Sequence, residues 1–238
     1  MEIPEMTKQR MEEMAKSMAN SLIVPDAVIG LGSGEPITSI MNAFKARAPE
    51  VKKKRMQIHC TKEWMKDDLR SVGILAFCSG DEKEIPMLDF YMESPDVVCF
   101  PRGVKEPIFI KSDAVAEFNH AMRKRSRFIY MIATGNHVVS DEIRGIPMEL
   151  TNNLNGEVFF KSWPSNKGGI TGLRRNMEKG KDRFYIEWVP SVEQKIEDWN
   201  AIEKELDEAE FVLAHNLFTN SNNCKLMHAG NAPPASAH

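Results

Sequence analysis

No apolar run in the chain approaches the roughly 20 residues that a membrane-crossing helix needs, so no membrane insertion is expected. The four cysteines, Cys60, Cys78, Cys99 and Cys224, contain no C-x-x-C pair, and no histidine stands at zinc spacing from them. Neither a disulfide framework nor a cysteine-based metal site is therefore expected, and no cofactor motif is apparent. Three of the four lie in apolar, strand-like stretches, where cysteine acts as a small buried hydrophobe, and a reducing compartment follows most simply. A large charge of either sign is also missing. The formal charge is -3, with a pI near 6.1, so nothing draws the chain generally toward nucleic acid or anionic lipid. Basic clusters at Lys52-Lys53-Lys54-Arg55 and at Arg123-Lys124-Arg125 with Arg127 lack interleaved aromatics and read as solvated faces. His120, His137 and His215 belong to no sequence pattern that implies a metal. The first residues carry several acids, unlike a signal or transit peptide. The expected location is the cytoplasm, or an organelle interior if a presequence has been removed.

What the chain does have is alternation. A helix over Thr7 to Ser21, with Met11, Met14, Ala15 and Met18 on one face, leads through Pro25-Asp26 to a strand at Ala27 to Leu31. A glycine turn and a second helix from about Pro36 follow. Met56 to Cys60 then reads as a strand, Thr61 to Val72 as a helix capped by Thr61, and Ile74 to Cys78 as a strand. Val97 to Phe100 is expected as another strand, Ser112 to Arg125 as a helix, and Arg127 to Ala133 as a strand. Such a chain predicts an α/β fold, a mostly parallel sheet with helices on both faces.

The pattern changes near Pro147. Strands at Met148 to Leu150, Ile170 to Leu173 and Arg183 to Val189 precede an amphipathic helix over Val192 to Glu208, with Ile196, Trp199, Ile202 and Leu206 as its stripe. These suggest a small α+β lid subdomain over 146–210, with 1–145 and 211–238 forming the main domain. Phe211 to Leu213 and Lys225 to Met227 are expected to return to that main body, ahead of a disordered tail over Asn231 to His238.

The segment richest in chemical information is Val28-Ile29-Gly30-Leu31-Gly32-Ser33-Gly34-Glu35-Pro36. A glycine turn from strand to helix lets backbone N–H groups converge on an anion. A dinucleotide fingerprint would need its third glycine one place later and an acid after the second strand, where Cys60-Thr61 stands instead. A Walker loop would need GK[ST]. A sugar-phosphate site and a purely conformational turn both remain open from the loop alone.

Gly30 to Pro36 resembles the GxGTGST phosphate loop of type A ribose-5-phosphate isomerases. Further along, Lys66 to Ile74 is similar to that family's second helix and following strand. Asp96 to Phe100 and Ile108-Phe109-Ile110-Lys111 fall where the family has its DGADE and IKGGGG motifs. Arg127 to Ala133, Arg144 to Glu149, Arg183 to Glu187, Trp199 to Leu206 and His215-Asn216-Leu217-Phe218 match later segments in order. The resemblance implies the family's fold, a phosphate site at Gly32, Ser33, Gly34 and Thr61, and an aldose–ketose proton shuttle in which carboxylates and a lysine manage an ene-diolate.

Against this resemblance the sequence departs at the chemistry. On this resemblance the stretch corresponding to the acidic motif is Phe100-Pro101-Arg102-Gly103-Val104, with no acid, and Lys105 and Glu106 just after. Lys111 matches the family lysine, but Ser112-Asp113-Ala114 replaces the glycine run. The base position falls near Glu117, where the best register offers Phe118 or His120. Glu35 and Pro36 also alter the phosphate loop. If Glu35 faced inward, its charge would oppose a phosphate by about 1–4 kcal/mol. Two readings result. The first is an isomerase-like protein that has lost turnover and serves as a binding or structural subunit, as a homo-oligomer or in a larger assembly. The other is a divergent active isomerase of ribose 5-phosphate using Lys111 with Glu106 or Glu117. A relative with another ligand, such as an acyl-CoA or nucleotide, is a third.

Overall fold

The computed structural model describes residues 8–78, 84–100, 107–111, 117–134, 138–140, 145–151, 168–176, 183–190, 198–209, 212–219 and 223–227. In chain order the elements are α1 (Lys8–Leu22), β1 (Val28–Leu31), α2 (Glu35–Ala46), α3 (Ala48–Lys53), β2 (Gln57–Cys60), α4 (Glu63–Ser71), β3 (Ala76–Phe77), β4 (Leu88–Glu93), β5 (Val97–Cys99), β6 (Ile108–Ile110) and α5 (Glu117–Lys124). They continue with β7 (Ser126–Ile132), β8 (Val138–Ser140), β9 (Ile146–Thr151), β10 (Gly168–Asn176), β11 (Arg183–Pro190), α6 (Trp199–Glu208), β12 (Val212–His215), β13 (Leu217–Thr219) and β14 (Cys224–Met227). The chain divides into two compact units: Met1–Pro95 with Ala121–His137 and Asn222–His238, and Asp96–His120 with Val138–Ser221.

The first unit is built on a six-stranded sheet of order β14-β7-β4-β1-β2-β3, with all neighbours parallel. Parallel strands need crossovers, and the helices between them supply these and cover the sheet. Helix α1 buries Met11, Met14, Ala15 and Met18, the stripe its spacing predicts, and adds Ala19 and Leu22. From β1 the chain moves outward through β2 to β3. It then crosses back to place β4 on the other side of β1, and continues to β7 and β14. The order reverses between β1 and β4. In doubly wound sheets, ligands bind outside the strand carboxyl ends at such a reversal.

The alternation thus forecasts the fold class correctly, but not every element. Strand β4 covers a stretch to which the sequence pattern assigned no element, although it lies beside β1 at the centre of the sheet. Thr61 does not cap α4; Lys62 holds that position, with no side-chain cap bond. None of the four cysteines is in a disulfide. Burial pushes the Cys60 thiol up to about 12 and the Cys78 thiol up to about 11, so neither is a poised nucleophile.

The second unit holds two four-stranded sheets, β10-β11-β9-β12 and β13-β6-β5-β8, among the described residues. The first is antiparallel throughout. In the other, only β5 and β8 are parallel. Strand β5 therefore forms where the sequence predicted it, but outside the large sheet. Likewise β12 pairs with β9 instead of returning to the main sheet, and β14 alone makes that return. Helix α6 sends Trp199, Ile202 and Leu206 into a cluster with Ile146, Met148, Leu150, Trp188 and Leu217. Full burial of each such side chain contributes about 1.5–3 kcal/mol. Its N-terminus is capped by Asp198, whose carboxylate accepts the Ala201 N–H at 3.0 Å, worth about 1 kcal/mol. The predicted helical residues 192–197 and the tail from Asn231 lie outside the described residues. Among the described residues, no helix is long and apolar enough to cross a membrane.

Candidate functional site

The carboxyl ends of β2, β1 and β4 bring together Thr61, the Gly32-Ser33-Gly34 turn and the pair Glu93-Ser94. Gly32 N–H donates to the Met92 carbonyl at 2.8 Å and Thr61 N–H to the Leu31 carbonyl at 2.9 Å, which ties the turn to both neighbouring strands. A methyl group at Gly32 would collide with the Glu93 carboxylate. Gly34, at φ +114°, would press a side chain to 2.7 Å from Ser94 Cβ. Both glycines are thus demanded by what approaches the loop from β4, as well as by the turn itself.

What approaches is a buried carboxylate. Glu93 is 1% exposed. Its Oε1 accepts the backbone N–H groups of Ser33 at 2.9 Å and Ser94 at 3.0 Å, and its Oε2 accepts the Tyr91 hydroxyl at 2.7 Å. Charge-assisted bonds of this kind are about twice as strong as neutral ones. Burial, with Glu93 adding to it, pushes the Tyr91 phenol well above its usual range and keeps it a proton donor. Part of the turn's N–H cradle is therefore taken by the protein's own carboxylate.

Other donors at the turn remain uncommitted. Ser33 Oγ and Thr61 Oγ1 are buried without a hydrogen-bond partner, as are both ring nitrogens of His59 in the adjoining β2. The His59 ring stacks on Phe77 at 4.9 Å, and desolvation lowers its pKa. Glu35 is exposed at the start of α2, and Pro36 stands where a missing N–H breaks no helical bond.

In the second unit, Lys111 follows β6 and is 5% exposed. Its backbone is clasped by Asn216: Lys111 N–H donates to the Asn216 carbonyl at 3.3 Å, and Asn216 Nδ2 donates to the Lys111 carbonyl at 2.9 Å. Its ammonium lies 3.5 Å from Asp96 Oδ1. Glu93 and Asp96 follow one another within the Glu93-Ser94-Pro95-Asp96 run that closes β4. Glu93 is the last residue of β4, and both acids stand upstream of the acid-free Phe100 to Val104 stretch. Glu106 lies outside the described residues, and Glu117 is the first residue of α5.

One turn into α5, His120 is 6% exposed and sits with Asp207 from α6 and His215 from β12. Asp207 Oδ1 is 3.1 Å from His215 Nε2 and 3.7 Å from His120 Nε2. The two imidazoles meet edge to face with centroids 5.1 Å apart. Leu217 N–H donates to His215 Nδ1 at 3.3 Å, leaving the His215 proton on Nε2, where it faces Asp207. No sequence spacing links these three residues; the fold alone assembles them.

No family model matches the chain. A ribose-5-phosphate isomerase A from Haemophilus ducreyi is 31% identical over 98 residues, and the match spans 41% of each chain, less than half of that curated relative. The solved structure of a D-ribose-5-phosphate isomerase in complex with phospho-erythronic acid superposes with a TM-score of 0.61 at 17% identity, covering 90% of this chain and 92% of that one. Ribose 5-phosphate isomerase A from Methanocaldococcus jannaschii gives a TM-score of 0.62 at 15% identity, covering 92% and 95%. The protein belongs to the doubly wound α/β class with its candidate site at the strand reversal. More narrowly, its fold is similar to that of the type A ribose-5-phosphate isomerases.

Proposed function

We propose that the protein binds a phosphorylated pentose or a close analogue and has lost the isomerase turnover for which its relatives are named, serving as a binding or structural subunit. The carrying observation is His120. On α5, where the resemblance puts Phe118 or His120 at the position of the family's glutamate base, the His120 imidazole is buried against Asp207 and His215. A side chain engaged in that way is not poised over a substrate carbon, and loss of a general base costs about 10²–10⁴ in rate. Binding is supported by the orphaned hydroxyls of Ser33 and Thr61 beside Gly32 and Gly34, since buried polar groups without partners suit an incoming acceptor.

Phospho-erythronic acid, the ligand of one structural relative, and ribose 5-phosphate are the probes. At ~100 times Kd, either should stabilise the fold by about 2.7 kcal/mol, and Ser33→Ala with Thr61→Val should remove that shift. No shift at high millimolar ligand overturns the binding half of the proposal. Size-exclusion chromatography with light scattering tests the subunit role, for which an oligomer is expected.

A second reading, a divergent active isomerase, draws on the Asp96–Lys111 pair. A lysine held near a carboxylate could stabilise an ene-diolate while Glu117 or Glu106 moves the proton. Turnover abolished by Lys111→Ala and by Glu117→Gln would establish it over the first.

A further inference from the structure

We propose that His120, Asp207 and His215 form a binding site for a divalent transition-metal ion of the zinc type. The inference rests on the second unit alone and stands whether or not a sugar phosphate binds. One ligand atom from each of the three side chains lies within 4.8 Å of the other two. In a tetrahedral site with bonds of ~2.0–2.1 Å, neighbouring ligand atoms are about 3.3 Å apart. The Asp207–His215 separation of 3.1 Å already fits. The Asp207–His120 separation of 3.7 Å needs a few tenths of an ångström, and the two imidazoles close the rest by small ring rotations.

The donor set also fits. Two imidazoles and one carboxylate suit zinc, cobalt or ferrous iron, and not calcium or magnesium, which take oxygen ligands. The His120 and His215 side chains are 6% and 0% exposed and would form the dry wall of the site. Asp207 is 30% exposed, which supplies an entry path and room for water as a further ligand. A single histidine would satisfy this carboxylate by hydrogen bonding; two imidazoles converging on the same oxygen form a three-sided arrangement.

Coordination has a definite cost in hydrogen bonds. Binding through His215 Nε2 moves the ring proton to Nδ1, so the Leu217 N–H contact gives way. One neutral hydrogen bond is small beside the binding energy of a zinc site. The ion would join α5, α6 and β12, and so clamp the second unit.

The full chain, stripped with chelator, should be titrated with zinc chloride by calorimetry and with cobalt chloride by visible absorption. The expected result is about one ion per chain, with the intense d–d bands of a four- or five-coordinate cobalt centre and a raised melting temperature. Asp207→Asn, nearly isosteric and at a partly exposed position, should weaken binding by more than the roughly 10- to 100-fold typical of an outer-shell partner. His215→Ala should abolish it; should that variant fail to fold, His120→Gln supplies the second reading. Absence of saturable binding overturns the proposal. So does binding that Asp207→Asn and His120→Gln leave unchanged, because the metal then sits elsewhere.

Discussion

Glu93 Oε1 accepts the backbone N–H of Ser33 at 2.9 Å, so the glycine turn after the first strand is closed on a carboxylate from the neighbouring strand. The bond links the ends of β1 and β4 at the strand reversal, and it accounts for Gly32, where any side chain would collide with that carboxylate. Removing the acceptor should therefore be costly. Glu93→Ala strands the N–H groups of Ser33 and Ser94 and the hydroxyl of Tyr91, each worth about 1–3 kcal/mol when buried and unpaired. A loss of several kcal/mol is expected in urea unfolding, with Glu93→Gln keeping an acceptor and losing about half as much. A variant as stable as the parent would mean that Glu93 is no keystone of the turn.

Tyr91 should remain a phenol throughout the native range. Its folded pKa is raised above the ordinary value of 10.0, chiefly by burial and then by Glu93. The associated stability is fully present below pH 10 and is lost as pH rises from there toward the folded pKa. Tyrosinate absorbance followed against pH should show one tyrosine that ionises only as the protein unfolds, and Tyr91→Phe should remove that component.

His59 should make the fold acid-sensitive. Desolvation lowers its pKa below 6.5, so the unfolded chain takes up a proton before the folded one does. The corresponding stability is present above pH 6.5 and is lost as pH falls through the folded pKa. His59→Phe keeps a ring stacked on Phe77 and removes two orphaned nitrogens. Its stability should exceed the parent's by more at pH 5.5 than at pH 7.5. Parallel pH profiles for the two proteins would exclude His59 as a cause of acid sensitivity.

The helical stripe of α1, the glycine turn and the alternation of strand and helix after it were legible in the sequence because each rests on local pattern. Strand β4 was not. Its Leu88-Asp89-Phe90-Tyr91-Met92-Glu93 run has β-forming residues at its centre but acids within and at its end, following Pro86. The acids resemble a loop until Asp89 is seen accepting the Val28 N–H and Glu93 the Ser33 N–H. Signals that could have found β4 were Phe90-Tyr91-Met92 and the Ser94-Pro95 break after it. The His120–Asp207–His215 cluster had no local signal, because α5, α6 and β12 meet only in the folded chain.

Proton abstraction at C2 of ribose 5-phosphate is the step that a missing base should stop, and deuterium uptake there reports it without any coupling enzyme. Proton NMR in D2O, with protein at substrate-binding concentration, should show ribose 5-phosphate contacting the protein by saturation transfer while its C2 proton persists at the uncatalysed rate. Rapid loss of the C2 signal, prevented by Lys111→Ala, would contradict the account and identify a working isomerase.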